Sequence, residues 1–76
     1  MPHVVIKCFP GRSEKQKKEC AEKISEVIAN TLGCKIESVS VAIKDIPENS
    51  WKTEVWDKEI KPDEKALFKK PGYSCD

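Results

Sequence analysis

One long amphipathic segment lies between two β-branched runs, and that order constrains the fold more than any other feature of the chain. From His3 to Phe9 the run His-Val-Val-Ile-Lys-Cys-Phe reads as a strand, stopped by Pro10-Gly11. Ser13 stands three residues before Gln16, a capping-box spacing, and Cys20, Ile24, Val27, Ile28, Thr31 and Leu32 recur at helical intervals. A helix is therefore expected from about Glu14 to Leu32, with Gly33 supplying the left-handed residue that ends it. After a short connection, Val39-Ser40-Val41-Ala42-Ile43 reads as a second strand.

Strand, helix and strand make one βαβ unit of the α/β class, in which the crossover is right-handed and the strands run parallel. Two strands do not form an independent sheet, and the helix covers one face of it. The chain has 76 residues, and a domain of that size buries only about 60–70% of the surface its unfolded form exposes. Small chains make good the shortfall with disulfides, a metal or self-association. The sheet is expected to be completed by oligomerisation. A symmetric homodimer, which packs two such sheets together, is the expected assembly.

After Ile46 the texture changes. Pro47-Glu48-Asn49-Ser50 reads as a turn, and Trp51, Val55, Trp56 and Ile60 follow at loose helical spacing, so short helical turns are expected there. Pro62 suits a first helical position, Asp63 and Glu64 suit a helix start and Lys69-Lys70 a helix end, which predicts a last short helix closed by Pro71-Gly72. With no internal repeat, low-complexity tract or linker, the expected organisation is a single domain, 2–76.

Charge and cysteine content narrow the function classes. Fourteen Lys and Arg against 13 Asp and Glu leave a formal net charge of +1, and the two signs interleave, as in Glu14-Lys15-Gln16-Lys17-Lys18-Glu19. A nucleic-acid partner is not expected of such a surface. No apolar run approaches the roughly 18 residues of a membrane span, so no membrane partner is expected either. Cys8, Cys20, Cys34 and Cys75 include no C-x-x-C pair, and the chain has one His, His3, which argues against a zinc site. No signal peptide is read at the start of the chain, and a cytoplasmic protein with free thiols is the expectation.

Gly-rich phosphate loops, H-E-x-x-H and a credible Ser-His-Asp set are absent. Cys8 could serve as a nucleophile paired with His3, but it reads better as a small buried apolar residue. Pro2 carries more information. Initiator methionine is generally removed before a residue as small as proline, which leaves a secondary amine at the start of the first strand. An α-amino group titrates near ~7.7–8.0, and an apolar cleft with nearby cations lowers that value. A neutral amine is then a general base near pH 7, and its protonated form a general acid.

Met-Pro followed by a strand, Gly11-Arg12-Ser13 with Gln16-Lys17 opening the helix, and Ser38-Val39-x-Val41 at the second strand together resemble the 4-oxalocrotonate tautomerase family over nearly the whole chain. Glu48-Asn49-Ser50-Trp51, Trp56-Asp57-x-Glu59-Ile60-x-Pro62 and Lys69-Lys70-Pro71-Gly72-Tyr73 resemble its longer-tailed subgroup, associated with phenylpyruvate-type tautomerisation. The resemblance also bears on assembly: shorter members of the family form hexamers, and a tail from Trp56 to Asp76 would cover the surfaces that join dimers, so a homodimer is favoured and a hexamer is the alternative.

The resemblance implies a cofactor-independent isomerase that moves a proton between the enol and keto forms of a small 2-oxo acid, plausible substrates being arylpyruvates. Pro2 falls on the acid-base position. Arg12 falls on the arginine that binds the substrate carboxylate, a task suited to a bidentate and always charged guanidinium; the plainer reading is a surface arginine at a helix start. Ser40 falls where the archetype has a second arginine. A hydroxyl donates one hydrogen bond and brings no positive charge, so a dicarboxylate substrate is disfavoured. Trp51 falls on the aromatic wall of the pocket, with a core or interface tryptophan as its plainer role. Phe9 and Trp56 could also line the cleft, although a core role reads better for both, and His3, expected on the sheet face opposite Pro2, reads as structural. Two rival functions stay open: another proline-dependent reaction of the same superfamily, such as hydration or decarboxylation, and a non-catalytic oligomeric scaffold.

Overall fold

The computed structural model describes residues 1–76, which divide into two compact units, Met1–Asp45 and Ile46–Asp76. In the first, β1 (His3–Cys8) leads through Pro10-Gly11 into α1 (Glu14–Leu32), and β2 (Ser40–Asp45) follows a single 3₁₀ turn at Ile36–Ser38. The two strands are parallel, with His3 opposite Ser40 and Cys8 opposite Asp45. This is the βαβ unit expected, and its sheet ends at two strands.

The helix begins and ends where its caps dictate. Ser13 accepts from the Gln16 amide at 3.1 Å, and the Gln16 side chain accepts from the Ser13 amide at 2.9 Å, so two otherwise orphaned donors are satisfied reciprocally. Losing such a cap costs about 1 kcal/mol. At the far end Gly33 takes φ 72°, a left-handed conformation that a Cβ disfavours, and its amide bonds Ala29 O at 3.1 Å.

Alternation along the strands sorts the side chains between two faces. Ile6, Cys8 and Ile43 lie against α1, where they share a concavity with Gln16, Lys17 and Cys20. His3, Val5 and Lys7 on β1 and Ser40, Ala42 and Lys44 on β2 therefore point to the other face. Val5, in the middle of that face, is 45% exposed. The sheet is open on this side, consistent with completion by other copies.

The helix face differs from the expected one. Lys17, Ala21, Ile24, Ser25, Ile28 and Ala29 are half-buried, whereas Cys20, Val27, Thr31 and Leu32 are exposed. A sheet of two strands about 5 Å apart is too narrow to cover the whole apolar stripe, and the half-buried face sets Ile24 and Ile28 beside the small residues Ala21, Ser25 and Ala29. Phe9, expected in the core, is 39% exposed. No residue of Met1–Asp45 is fully buried.

The second unit holds the two buried apolar side chains of the chain, Val55 and Trp56. A 3₁₀ turn at Glu48–Ser50 runs into a nine-residue π-helix, Lys52–Ile60. The closing bond from Lys61 N–H to Trp56 O, at 2.9 Å, spans five residues. That register aligns side chains five apart, as the ion pair between Lys52 and Asp57 at 3.1 Å records; on an α-helix those residues would sit about 140° from each other. The last short helix predicted after Pro62 is reduced to one 3₁₀ turn, Glu64–Ala66.

Candidate active site

At the end of the sheet where both strands begin, Pro2 and Ser40 stand together, with His3 beside them. Pro2 precedes β1, is half-buried, and accepts through its carbonyl from the Ser40 amide at 3.1 Å. Met1 beyond it is fully exposed, so nothing packs against the residue whose removal the reading requires. The register that sets His3 opposite Ser40 also puts both side chains on the open face, where His3 Nδ1 and Ser40 Oγ share a hydrogen bond of 2.6 Å whose donor depends on the imidazole tautomer.

His3 is the neighbour that sequence reasoning passed over. The parallel register brings it onto Ser40. That pairing was open to inference once His3 and Ser40 were recognised as the first residues of two parallel strands. Ser40 is thus engaged with an imidazole at the same end of the sheet as the proline.

Arg12 lies at the other end. Gly11, at φ 124°, makes a turn that a side chain would resist, and Arg12 folds back so that Nη1 donates to Phe9 O at 2.9 Å. The remaining guanidinium donors are free of that bond and the side chain is exposed. It borders the roughly 220 Å³ concavity between β1 and α1. Close by, Lys17 donates to Asp45 at 2.9 Å, and this hydrogen bond holds the ammonium pKa above its ordinary 10.5. The six residues of β1 put about 20 Å between the proline end and the arginine end. One chain therefore does not bring Pro2 and Arg12 together.

Trp51 belongs to the second unit. Its indole Nε1–H donates to the hydroxyl of Tyr73 at 3.2 Å, and the ring of Tyr73 lies 5.4 Å from that of Trp56 at 45°. Trp56 in turn donates to Asp76 Oδ1 at 3.2 Å, and Lys61 reaches the same carboxylate at 3.0 Å. The bonds from Lys61 and from the Trp56 indole hold the Asp76 carboxyl below its ordinary 3.8. Trp56 is core, as expected. No three His, Cys, Asp or Glu side chains stand close enough to hold a metal ion, all four cysteines are free thiols, and no helix is long and apolar enough to cross a membrane.

Comparison with known proteins agrees with this architecture. The family described as Tautomerase enzyme matches residues 2–56. Tautomerase PptA of Enterobacter sp. (strain 638) is 49% identical over 75 residues, covering 97% of this chain and 99% of the relative. Tautomerase PptA of Shigella sonnei (strain Ss046) is 48% identical with the same coverage. Among solved structures, apo unFused 4-OT superposes with a TM-score of 0.62 at 35% identity, over 64% of this chain and 80% of that one. A structure from work on the 4-oxalocrotonate tautomerase isozymes of Methylibium petroleiphilum gives 0.62 at 34%, over 66% and 81%. A βαβ unit with an open two-stranded sheet, a family match that begins at Pro2, and relatives aligned along nearly their whole length together show that this chain belongs to the 4-oxalocrotonate tautomerase family and is an isomerase.

Proposed function

We propose that this tautomerase interconverts the enol and keto forms of a small 2-oxo acid, with arylpyruvates as the substrate class, and that the amine of Pro2 carries the proton once Met1 is removed. The observation that carries this reading is the way Pro2 is held. Its carbonyl is fastened to the Ser40 amide, which fixes the residue at the end of the sheet and leaves its nitrogen uninvolved in the ladder. After loss of Met1 that nitrogen is a secondary amine in a rigid ring.

In ketonisation, the amine lone pair takes the enol hydroxyl proton. The oxygen electrons form the carbonyl as the carbon–carbon double bond opens, and the proton is delivered to the adjacent carbon from the protonated amine. One group acting first as base and then as acid suffices, so the mechanism invokes no cofactor.

Arg12 is assigned to the substrate carboxylate. With about 20 Å of strand between Pro2 and Arg12, an arginine that acts with a given proline comes from a second copy of the chain, and the reading therefore requires a homo-oligomer. A homodimer is proposed. Ser40 supplies a hydrogen-bonding hydroxyl, tied to His3, in place of a second cation, which favours a monocarboxylate. Trp51 is assigned to the aromatic wall. The cytoplasm is the proposed compartment.

Assay of the native-N-terminus protein on the enols of phenylpyruvate, an aliphatic 2-oxo acid and an unsaturated dicarboxylate, alongside intact mass, tests the proposal. Highest kcat/KM on the aryl monocarboxylate is expected. Hydration or decarboxylation products in place of the keto tautomer would assign a different proline-dependent reaction, and no turnover of any of the three would leave a scaffold.

A further inference from the structure

Trp51, Trp56 and Lys61 stand five residues apart, the spacing that a π-helix aligns on one face. All three meet the segment 73–76. Trp51 donates its indole N–H to the Tyr73 hydroxyl, Trp56 stacks obliquely on the Tyr73 ring and donates to Asp76, and Lys61 bonds Asp76. Tyr73 is thus held by its ring against the buried Trp56, and its hydroxyl meets the half-buried indole of Trp51. An indole has two side-chain torsions, and a fixed acceptor on its Nε1 selects among the ring orientations they allow.

We propose that Tyr73 is a positioning residue for substrate specificity. Its hydroxyl fixes the plane of the Trp51 indole, and Asp76, through Trp56 and Lys61, holds Tyr73 in place. The inference rests on the assignment of Trp51 to the aromatic wall. An aromatic substrate gains from a wall of fixed plane, because stacking depends on ring orientation, whereas an aliphatic chain of equal charge is indifferent to it. Tyr73 therefore acts on the choice between aryl and alkyl substrates and leaves proton transfer alone.

The test is a double-mutant cycle of Tyr73→Phe and Trp51→Phe in the full chain with its native N-terminus, read as kcat and KM for phenylpyruvate enol and for the enol of an aliphatic 2-oxo acid. Loss of one neutral hydrogen bond predicts a rise of about three- to tenfold in KM for the aryl substrate in Tyr73→Phe, with kcat unchanged. KM for the aliphatic substrate should stay within about twofold. In the Trp51→Phe background, Tyr73→Phe should change nothing further. Tryptophan emission should shift in Tyr73→Phe, because one of the two indoles loses its partner. Asp76→Asn, which loosens the segment at its other end, should move aryl KM in the same direction by less, and serves if Tyr73→Phe does not fold.

If Trp51→Phe changes the aryl-to-alkyl ratio and Tyr73→Phe does not, the positioning role is overturned while the wall assignment stands. Equal effects of Tyr73→Phe on both substrates, or additive effects of the two substitutions, also overturn it. If Trp51→Phe leaves the ratio unchanged, the wall assignment falls and the role of Tyr73 falls with it.

Discussion

The amide of Ser40 donates to the carbonyl of Pro2 at 3.1 Å, which ties the residue before β1 to the first residue of β2. Pro2 is thereby fixed to the start of β2. Ser40 makes two attachments at this corner: its backbone holds Pro2 and its hydroxyl holds His3. A change of side chain at position 40 alters the second attachment and leaves the first intact, so the charge of the site can be varied without releasing the proline.

Ser40→Arg is the informative variant for that reason. A guanidinium in place of the hydroxyl adds a second cation at the proline end, and a charged hydrogen bond contributes about 1.5–3 kcal/mol. The ratio of kcat/KM for a dicarboxylate over a monocarboxylate should rise by about ten- to a hundredfold. An unchanged ratio, in a protein with the melting temperature of the parent, would place Ser40 outside the substrate pocket.

Arg12→Ala should raise KM for a monocarboxylate more than it lowers kcat, because the carboxylate is held alike in the ground and transition states. The expected loss is about 1.5–3 kcal/mol in binding. Since the arginine also donates to Phe9 O within the β1–α1 turn, Arg12→Lys is the useful companion: it keeps the charge and loses the bidentate geometry. If Arg12→Ala leaves both constants unaltered, the arginine belongs to the turn alone.

Self-association is readable at Val5, in the centre of the open sheet face and 45% exposed. Val5 is already more than half covered, so burying the rest contributes about 1 kcal/mol, and a symmetric interface counts it twice. Val5→Lys, which also brings two ammonium groups into the seam, should weaken dimerisation by at least about 30-fold, which sedimentation across a concentration series resolves. An unchanged dissociation constant would move the interface to the exposed flank of α1 at Cys20 and Val27.

The attachment of segment 73–76 is pH-dependent. Lys61 and the Trp56 indole hold the Asp76 carboxyl below its ordinary 3.8, so the folded state prefers the ionised form. The stabilisation is complete above that ordinary value and is lost as pH falls through the lower, folded one. Tryptophan emission followed from pH 6 to pH 2 should show an acid transition that Asp76→Asn abolishes. A transition unaltered in Asp76→Asn would assign it to other carboxylates.

The ends of α1 and the parallel strand pair were legible in the sequence because local chemistry sets them: Ser13 and Gln16 close one end, Gly33 the other, and β-branched runs flank them. The face of α1 was less so, since the apolar stripe from Cys20 to Leu32 is wider than a two-stranded sheet can cover and its remainder serves surfaces a single chain does not contain. The π-helix escaped a search at 3.6-residue spacing, although the five-residue interval between Trp51 and Trp56 was its trace. The helix expected after Pro62 failed for want of something to bury: Phe68 is fully exposed, and a short helix without a docked face does not repay its nucleation. For the candidate site, residue type and family resemblance point to Pro2, Arg12, Ser40 and Trp51. The separation of Pro2 from Arg12 by the length of β1, and the contact of His3 with Ser40, needed the strand register.

The proline mechanism makes the most exposed prediction. Retaining Met1, or joining any tag to the N-terminus, converts the secondary amine of Pro2 into a tertiary amide whose nitrogen lone pair is delocalised into the carbonyl. Such a nitrogen neither accepts nor returns a proton, so activity should fall to background. The fold should survive, because Met1 is fully exposed and the bond from Ser40 engages the carbonyl of Pro2 and leaves its nitrogen aside. Pro2→Ala, processed to a free N-terminus, keeps a primary amine and the same backbone acceptor for Ser40 but loses the ring that aims the lone pair. Removing a positioned acid-base group costs about 10²- to 10⁴-fold; the blocked protein should lie at the far end of that range and the alanine variant at the near end. Intact mass establishes which N-terminus each preparation carries, and kcat/KM against pH on a single enol then compares them. Full turnover by protein that still carries Met1 would remove Pro2 from the chemistry and with it the reason for placing the site at this end of the sheet.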